Sequence, residues 1–415
     1  MDVVVKRRPL EGVRVADLSM MWAGPYCTKL LAEMGAEIVK VESPKAWDNI
    51  RTLVPQPGAV DPWNSAFYFQ EYNREKKSVV LDLAAADGRD AFLRLVAQCD
   101  VLIENYRADV MDNLGLGYDA VRSVRDDIVY VSMAAFGKTG ADRDLVGFGP
   151  VIELMSSLAS LTGYVDDPEP FKTGISYGDP VAGVHAVGAI SLALLQRHRT
   201  GAGCYIDLAQ RQGAAALAGE AFVTAQRTGG APPTHLGNRS ARWAPQGAYQ
   251  CEGQQQWVVV SVVTDEHWQA CCSVLHRFDL ALLSLDERFA RHDELDEALS
   301  AWAATRGAQE AMEEMQRAGV PAGRVLDTRT VHEDPHLDAR GFWLNVENAK
   351  MHDFKQGGIA WRFAECENTV TRHAPFFGEH TREVLTTVAG LTDAEVDALY
   401  AAGVTADTPV NPGVG

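Results

Sequence analysis

Val13-Arg14-Val15-Ala16-Asp17-Leu18 reads as a short strand, Gly24 to Met34 as a helix closed by Gly35, and Glu37-Ile38-Val39-Lys40-Val41 as a second strand. Short β-branched runs suit buried strands, and a glycine just past a helical pattern supplies the left-handed stop. The alternation continues. Ser78-Val79-Val80-Leu81 is a third strand, and an Ala-rich helix runs from about Ala86 to Gln98. Val101-Leu102-Ile103 is a fourth strand and Ile128-Val129-Tyr130-Val131-Ser132-Met133 a fifth. Strands alternating with helices predict an α/β fold, a Rossmann-like parallel sheet covered on both faces.

From Val151 to about Gln226 the pattern turns helical, with Val151–Leu161 and Val181–Arg197 its clearest helices. Thr228-Gly229-Gly230-Ala231-Pro232-Pro233 reads as a loop and a domain boundary. Beyond it, Gly247–Gln250 and Trp257–Val263 are strand candidates around Glu252-Gly253, and helical patterns fill Glu266 to about Gln316. That stretch predicts a second, smaller α+β domain. The tail from about Pro335 is mixed, and its last helix spans about Ala394 to Ala402.

Composition narrows the function classes. The 415 residues carry 38 Lys plus Arg against 56 Asp plus Glu, a net charge of −18. So acidic a surface repels nucleic acid and anionic membranes, leaving small anionic ligands only where Lys and Arg cluster locally. Seven widely spaced cysteines without a CxxC predict reduced thiols in a cytoplasmic protein. The N-terminal Met1 to Pro9 has only three consecutive apolar residues and reads as no signal peptide. Val181 to Leu195 is apolar but only 15 residues long and contains His185 and Ser191, so it reads as a buried helix.

Three motifs fail on context. Gly174-Ile175-Ser176-Tyr177-Gly178 fits the G-x-S-x-G nucleophile elbow. Glu169 to Thr173 is a poor strand, however, and the next helix is expected only at Pro180. His332-Glu333-Asp334-Pro335-His336 fits H-E-x-x-H, but Pro335 breaks the helical turn that would put both histidines on one face. No metal site is expected. Gly115-Leu116-Gly117 follows no strand and lacks a third glycine, and the turn Ser19 to Gly24 lacks G-x-G-x-x-G, which disfavours a nicotinamide or flavin enzyme.

Gly178-Asp179-Pro180 precedes the apolar helix, so Asp179 reads locally as an N-cap with Pro180 at the first helical position. A carboxylate there faces unpaired N–H groups and the positive end of the helix dipole, which favours its anion. Facing a pocket, such an anion can attack an activated acyl carbon. Local chemistry leaves cap and nucleophile both open.

Several further strings bear on that choice. They include Pro9 to Leu18, Ala23-Gly24-Pro25, Met34 to Glu42, Asn73 to Ser78, Leu81-Asp82-Leu83 and Glu104-Asn105-Tyr106-Arg107. Gly147-Phe148-Gly149-Pro150, Leu161 to Tyr164, Gly178-Asp179, Gly319 to Gly323 and Gly378 to Thr381 follow in order. On these the chain resembles the class III CoA-transferase superfamily, which includes formyl-CoA transferase and carnitine CoA-transferase, with α-methylacyl-CoA racemase among its relatives. The resemblance implies that Asp179 is the catalytic aspartate. It would form an anhydride with a donor acyl group and then an aspartyl-CoA thioester. Asn105 and Tyr106 would contact CoA, with Lys76 and Lys138 at its phosphates and Arg107 and Arg51 as weaker candidates. It also implies a large Rossmann-like domain built from both chain ends and an interlocked homodimer, a heteromer with a paralogue being the alternative. The expected segments are 1–200 for the first part of the large domain, 201–229 as a linker helix, 230–328 as the small domain and 329–415 as the return segment. CoA thioesters enter as substrates, with no tightly bound cofactor.

Departures from the family pattern bear on the substrate. Trp22 stands where formyl-CoA transferase has a substrate-contacting glutamine, and with Met21, Phe148 and Tyr177 it suggests an apolar acyl pocket. The glycine run that closes over the site in formyl-CoA transferase is replaced by Gly237-Asn238-Arg239-Ser240-Ala241-Arg242, which argues against oxalate or formate. Ala108-Asp109 replaces a common Pro-Gly after Arg107. Phe148-Gly149 stands where the racemase branch carries acid–base residues, which disfavours α-proton abstraction. The expectation is CoA transfer from a donor such as succinyl-CoA to an organic acid with an apolar or aromatic part, such as an arylsuccinate. The alternatives are an acyl-CoA isomerase or racemase, which needs no acceptor acid; a serine hydrolase at Ser176; and a non-catalytic CoA-binding subunit.

Overall fold

In the computed structural model, which describes residues 7–165, 167, 169–230, 235–352, 354–366 and 369–410, the opening pattern forms as read. Strand β1 (Arg14–Asp17) leads into helix α1 (Ala23–Glu33) and strand β2 (Glu37–Glu42). Helix α2 (Phe67–Asn73), β3 (Lys76–Val80), α3 (Ala86–Val96) and β4 (Val101–Glu104) follow. Then come short helices α4 (Val110–Asn113) and α5 (Tyr118–Val124), β5 (Val129–Ser132), α6 (Gly149–Met155) and the long α7 (Gly178–Thr200). Strand β6 (Cys204–Asp207) and helices α8 (Gln210–Ala216) and α9 (Gly219–Arg227) complete this stretch.

Among the described residues six strands form one sheet in the order β3-β2-β1-β4-β5-β6, every neighbouring pair parallel. This is the doubly wound order in which the chain reverses direction between β1 and β4. Alternate strand residues separate the core into two layers. Ala16, Val39, Val79 and Leu102 pack under α3 and the C-terminal helices α15 (Thr381–Thr387) and α16 (Asp393–Ala401). Val15, Ile38, Ile103 and Val131 pack under Cys27 and Leu31 of α1 and Ala182, Ala186 and Ile190 of α7. The return segment is stitched to β3, where His380 N–H donates to Ser78 O at 3.0 Å and Val80 N–H to Thr381 Oγ1 at 3.1 Å. Ahead of that segment, α14 (Pro335–Ala339) from His336 onward and the hairpin β10 (Trp343–Asn345) with β11 (Lys355–Gly357) lie in the same unit.

The second unit holds an antiparallel sheet of β7 (Gln246–Gln250), β8 (Trp257–Ser261) and β9 (Ala322–Arg324). Helices α10 (Asp265–Leu275), α11 (Leu285–Ala290), α12 (His292–Ala303) and α13 (Ala308–Arg317) accompany it. Trp268, Leu299 and Met315 fill its core against Val258 and Val260.

Three expectations are corrected. The stretch 201–229 is not one linker helix, because Cys204–Asp207 pairs with β5 as the sixth strand. Side chains of this edge strand alternate between half-buried and exposed, so it lacks the apolar run of a central strand. The chain divides into one unit of residues 1–159, 172–231 and 336–415 and another of 160–171 and 232–335, so 160–171 belongs with the small unit, which extends past 328. Helix α7 begins at Gly178 and has 23 residues, long and apolar enough by length and composition to cross a membrane. Gly183 nevertheless packs it so closely on α1 that a Cβ there would sit 2.9 Å from Ala23 O. Met1–Lys6, on which the signal-peptide reading rests, and Ala231, Pro232 and Pro233 of the expected boundary loop lie outside the described residues.

Candidate active site

The reversal between β1 and β4 leaves a crevice beyond their carboxyl ends, the place where open α/β sheets bind ligands. A cavity of about 350 Å³ lies there. Met20, Met21 and Trp22 enter it from the β1–α1 loop, and Asn105 and Tyr106 from the end of β4. Gly147 to Pro150 line it at the start of α6, and Asp179 with Ser176 at the start of α7. Gln210 enters from the first turn of α8, its Nε2 donating to Met133 O at 2.7 Å.

Asp179 is not an N-cap. Tyr177 takes that position without a side-chain cap, and Asp179 falls inside the first turn. The approach to this turn is braced by the buried Glu153, which accepts Thr173 N–H at 2.9 Å and Tyr177 N–H at 3.3 Å. Trp22, the residue preceding α1, likewise offers no side-chain cap. The Ala23 backbone N–H, at the first position of α1, instead faces the Asp179 carboxyl closely enough to favour its anion. Two helix N-termini thus converge on one carboxyl group.

Burial still dominates and pushes this carboxyl up to about 6, with the Ala23 N–H pulling the other way. The expectation of a pKa lowered by the helix end is therefore overturned in direction. The group is still about nine-tenths ionised at pH 7. Gly149 makes room for it, because a Cβ at 149 would collide with Asp179 Oδ2 and with Ser176.

A second cavity of about 520 Å³ opens beside Ala108, two residues beyond Tyr106. Lys138, Arg143, Tyr118 and Tyr205 line it. Lys138 Nζ donates to Ala108 O at 2.6 Å and lies 3.6 Å from the buried Glu104.

The family model described as CoA-transferase family III matches residues 10–381. The chain belongs to CoA-transferase family III. Succinyl-CoA--D-citramalate CoA-transferase of Chloroflexus aurantiacus is 31% identical over 401 residues, covering 95% of this chain and 97% of that protein. Succinyl-CoA:mesaconate CoA-transferase of Haloarcula hispanica is 33% identical over 384 residues, covering 91% and 95%. The crystal structure of a CAIB/BAIF family protein from Brucella suis superposes with a TM-score of 0.83 at 28% identity, covering 92% of this chain and all of that one.

The transferase brings together only some of the expected residues. Asp179, Asn105, Tyr106, Met21, Trp22 and Phe148 share the cavity. Tyr177 does not line it, its place being set by the backbone bond to Glu153. Arg51 is fully buried, its guanidinium paired with Glu42 at 2.8–2.9 Å and lying 3.5 Å from the Phe69 ring centre. It has no free face for a phosphate. Lys76 is also buried, 3.1 Å from both Asp17 Oδ2 and Pro25 O, and burial brings its pKa down to about 8 despite Asp17. It braces the start of α1 from within the protein. Arg107 pairs with Asp109 at 3.0 Å on the surface and lines neither cavity. Of the expected cations, Lys138 lines one of these two cavities, and Arg143 joins it there.

Sequence reasoning missed Gln210 and Arg143 and weighed Ser176 only as a hydrolase nucleophile. Ser176 stands two residues before α7, but among the described residues no strand leads directly into it, so the elbow geometry is missing. Recognising β6 would have pointed to Gln210, since it follows that strand's carboxyl end.

Proposed function

We propose that this CoA-transferase works by covalent catalysis at Asp179, with succinyl-CoA as donor. The carboxylate attacks the thioester carbon and the C–S bond breaks, giving a mixed anhydride and CoA thiolate. The thiolate attacks Asp179 Cγ and expels the donor's carboxylate, leaving an aspartyl-CoA thioester. An acceptor carboxylate attacks that thioester and releases the thiolate, which then takes the acceptor acyl group and frees Asp179. Protons balance throughout, so the cycle needs no general acid. The observation that carries this reading is a partly buried carboxylate in the crevice, given space by Gly149 and faced by the Ala23 N–H.

The neighbouring cavity supports a binding role for Lys138 and Arg143 toward the phosphates of CoA. Tyr106 sits between the two regions in sequence and offers a ring for the pantetheine or adenine. The aromatic and thioether groups of Trp22, Met21 and Phe148 support an acceptor acid with an apolar or aromatic part. The relatives' named acceptors, D-citramalate and mesaconate, set the starting panel together with an arylsuccinate. We also read the enzyme as a cytoplasmic homodimer. Exposed Val184, Leu192 and Leu195 on α7 and Phe222 and Val223 on α9 support a covered face there. Seven free cysteines fit a reducing compartment.

The test is to incubate the protein with succinyl-CoA and other acyl-CoAs, trap with hydroxylamine or borohydride, and map modified peptides. A donor-dependent adduct on Asp179 is expected. CoA binding without any Asp179 adduct from any donor overturns the mechanism and favours a non-catalytic subunit. Turnover of an acyl-CoA without acceptor acid favours an isomerase.

A further inference from the structure

In the loop that leads to Ala23, the backbones of Ser19, Met20 and Met21 are each held by side chains. Ser19 N–H donates to Asp17 Oδ1 at 2.9 Å, and Lys40 Nζ donates to Ser19 O at 2.7 Å. Asn105 grips both ends of Met20, accepting its N–H and donating to its carbonyl at 2.8 Å. Met21 N–H donates to Asp48 Oδ1 at 2.9 Å, and Asp48 Oδ2 pairs with Lys40 Nζ at 2.9 Å. Lys40 and Asp48 are both fully buried.

Met21 has φ of +65°, a left-handed conformation that a side-chain-bearing residue holds only when its surroundings impose it. The residue imposing it is Asp48, next to the cavity-lining Asn49. A buried ion pair contributes little net stability, since the cost of burying the charges offsets their attraction. What it supplies here is a fixed backbone two residues before the N–H that faces Asp179.

We propose that Asp48, backed by Lys40, is a positioning residue for the site of Asp179: by clamping Met21 it fixes Met21, Trp22 and the start of α1 on the wall of the cavity that Asp179 lines. The inference rests on Asp179 being the acyl-accepting carboxylate. Besides Lys40, the ionisable groups around the clamp are Asp17, Glu42 and Lys76. The Tyr72 phenol of α2 is near enough to Asp179 to feel its charge. None of these contacts the Met21 N–H.

The test measures kcat/KM for the donor from pH 5 to 8, kcat, the Kd of free CoA and the melting temperature for Asp48→Asn and Asp48→Ala. Asp48→Ala is expected to lower kcat roughly tenfold or more through misplacement of the reacting group. Drawing the Ala23 N–H away from the carboxyl also moves the acidic limb upward by about one pH unit. CoA affinity stays within about threefold, because the phosphates bind elsewhere. Asp48→Asn keeps an oxygen for Met21 N–H and no charge for Lys40, so it falls between wild type and Asp48→Ala. A folded Asp48→Asn with wild-type kcat and limb overturns the proposal. So does activity that falls only in step with melting temperature while the limb stays put, and so does an Asp48→Asn protein too unstable to assay. Asp179→Asn is run alongside. If it keeps activity, the acyl-transfer reading fails; if it is inactive while Asp48→Asn behaves as wild type, only the positioning role falls.

Discussion

Asp179 binds its proton more tightly in the folded chain than in the unfolded one, because burial outweighs the Ala23 N–H. A carboxyl raised from 3.8 to about 6 contributes stability that is complete below pH 3.8 and lost as pH rises through about 6. Asp179→Asn is therefore expected to melt higher than wild type at pH 7.5, by about 2 kcal/mol in stability, with the difference fading toward pH 4. On the proposed mechanism the same substitution is expected to abolish transfer, and the acidic limb of wild-type kcat/KM is expected near pH 6. Calorimetry and a pH–rate series check both. Gly149→Ala is a sharper test of space. Its Cβ has nowhere to go but into Asp179 and Ser176, so a loss of at least about a hundredfold in kcat with CoA still bound is expected.

Helices α1 and α7 set the site because one holds the Ala23 N–H and the other the carboxylate. Gly183 lets them approach. Its substituted Cβ would lie 2.9 Å from Ala23 O and 3.0 Å from the Tyr26 ring. Gly183→Ala is expected to cost about 1–3 kcal/mol by overpacking and to lower activity as well. Gly188, one and a half turns along the same helix, has nothing within 4 Å of such a Cβ. Gly188 shares the α7 face of Val184 and Leu192, so Gly188→Ala is expected to stabilise by about 0.5–1 kcal/mol where that face is open to solvent and to give no such gain where a second copy covers it, which denaturant melts of the pair will show. Elsewhere, α16 starts with a capping box between Thr392 and Glu395. Thr392→Ala should cost about 1 kcal/mol and leave kinetics alone.

At the scale of the whole molecule, α7 and α9 present exposed apolar side chains. Among the described residues α9 buries no side chain, and Leu192 of α7 is 68% exposed. If a second copy lies there, Leu192→Glu with Val223→Glu shifts sedimentation from dimer to monomer. A wild-type protein that sediments as a monomer removes the dimer reading.

Much of this was legible in the residues themselves. The period of apolar residues marked β1 to β5, α1 and the last helix to within a few residues, because a strand buried on both faces and an amphipathic helix leave local signatures. Asp179 was legible from its place before an apolar helix together with the family strings. Tertiary structure alone decided which charges are spent inside. Arg51 and Lys76 look like any surface cation in sequence, and their partners Glu42 and Asp17 lie 9 and 59 residues away. Pairing across strands depends on the sheet order, which no local pattern encodes. The half-exposed β6 escaped notice for the related reason that an edge strand needs only one apolar face. The basicity of Asp179 belongs to tertiary structure too. Sequence places it at a helix start, which favours the anion, and only the packing of α1, α6 and α7 around it supplies the burial that reverses the shift.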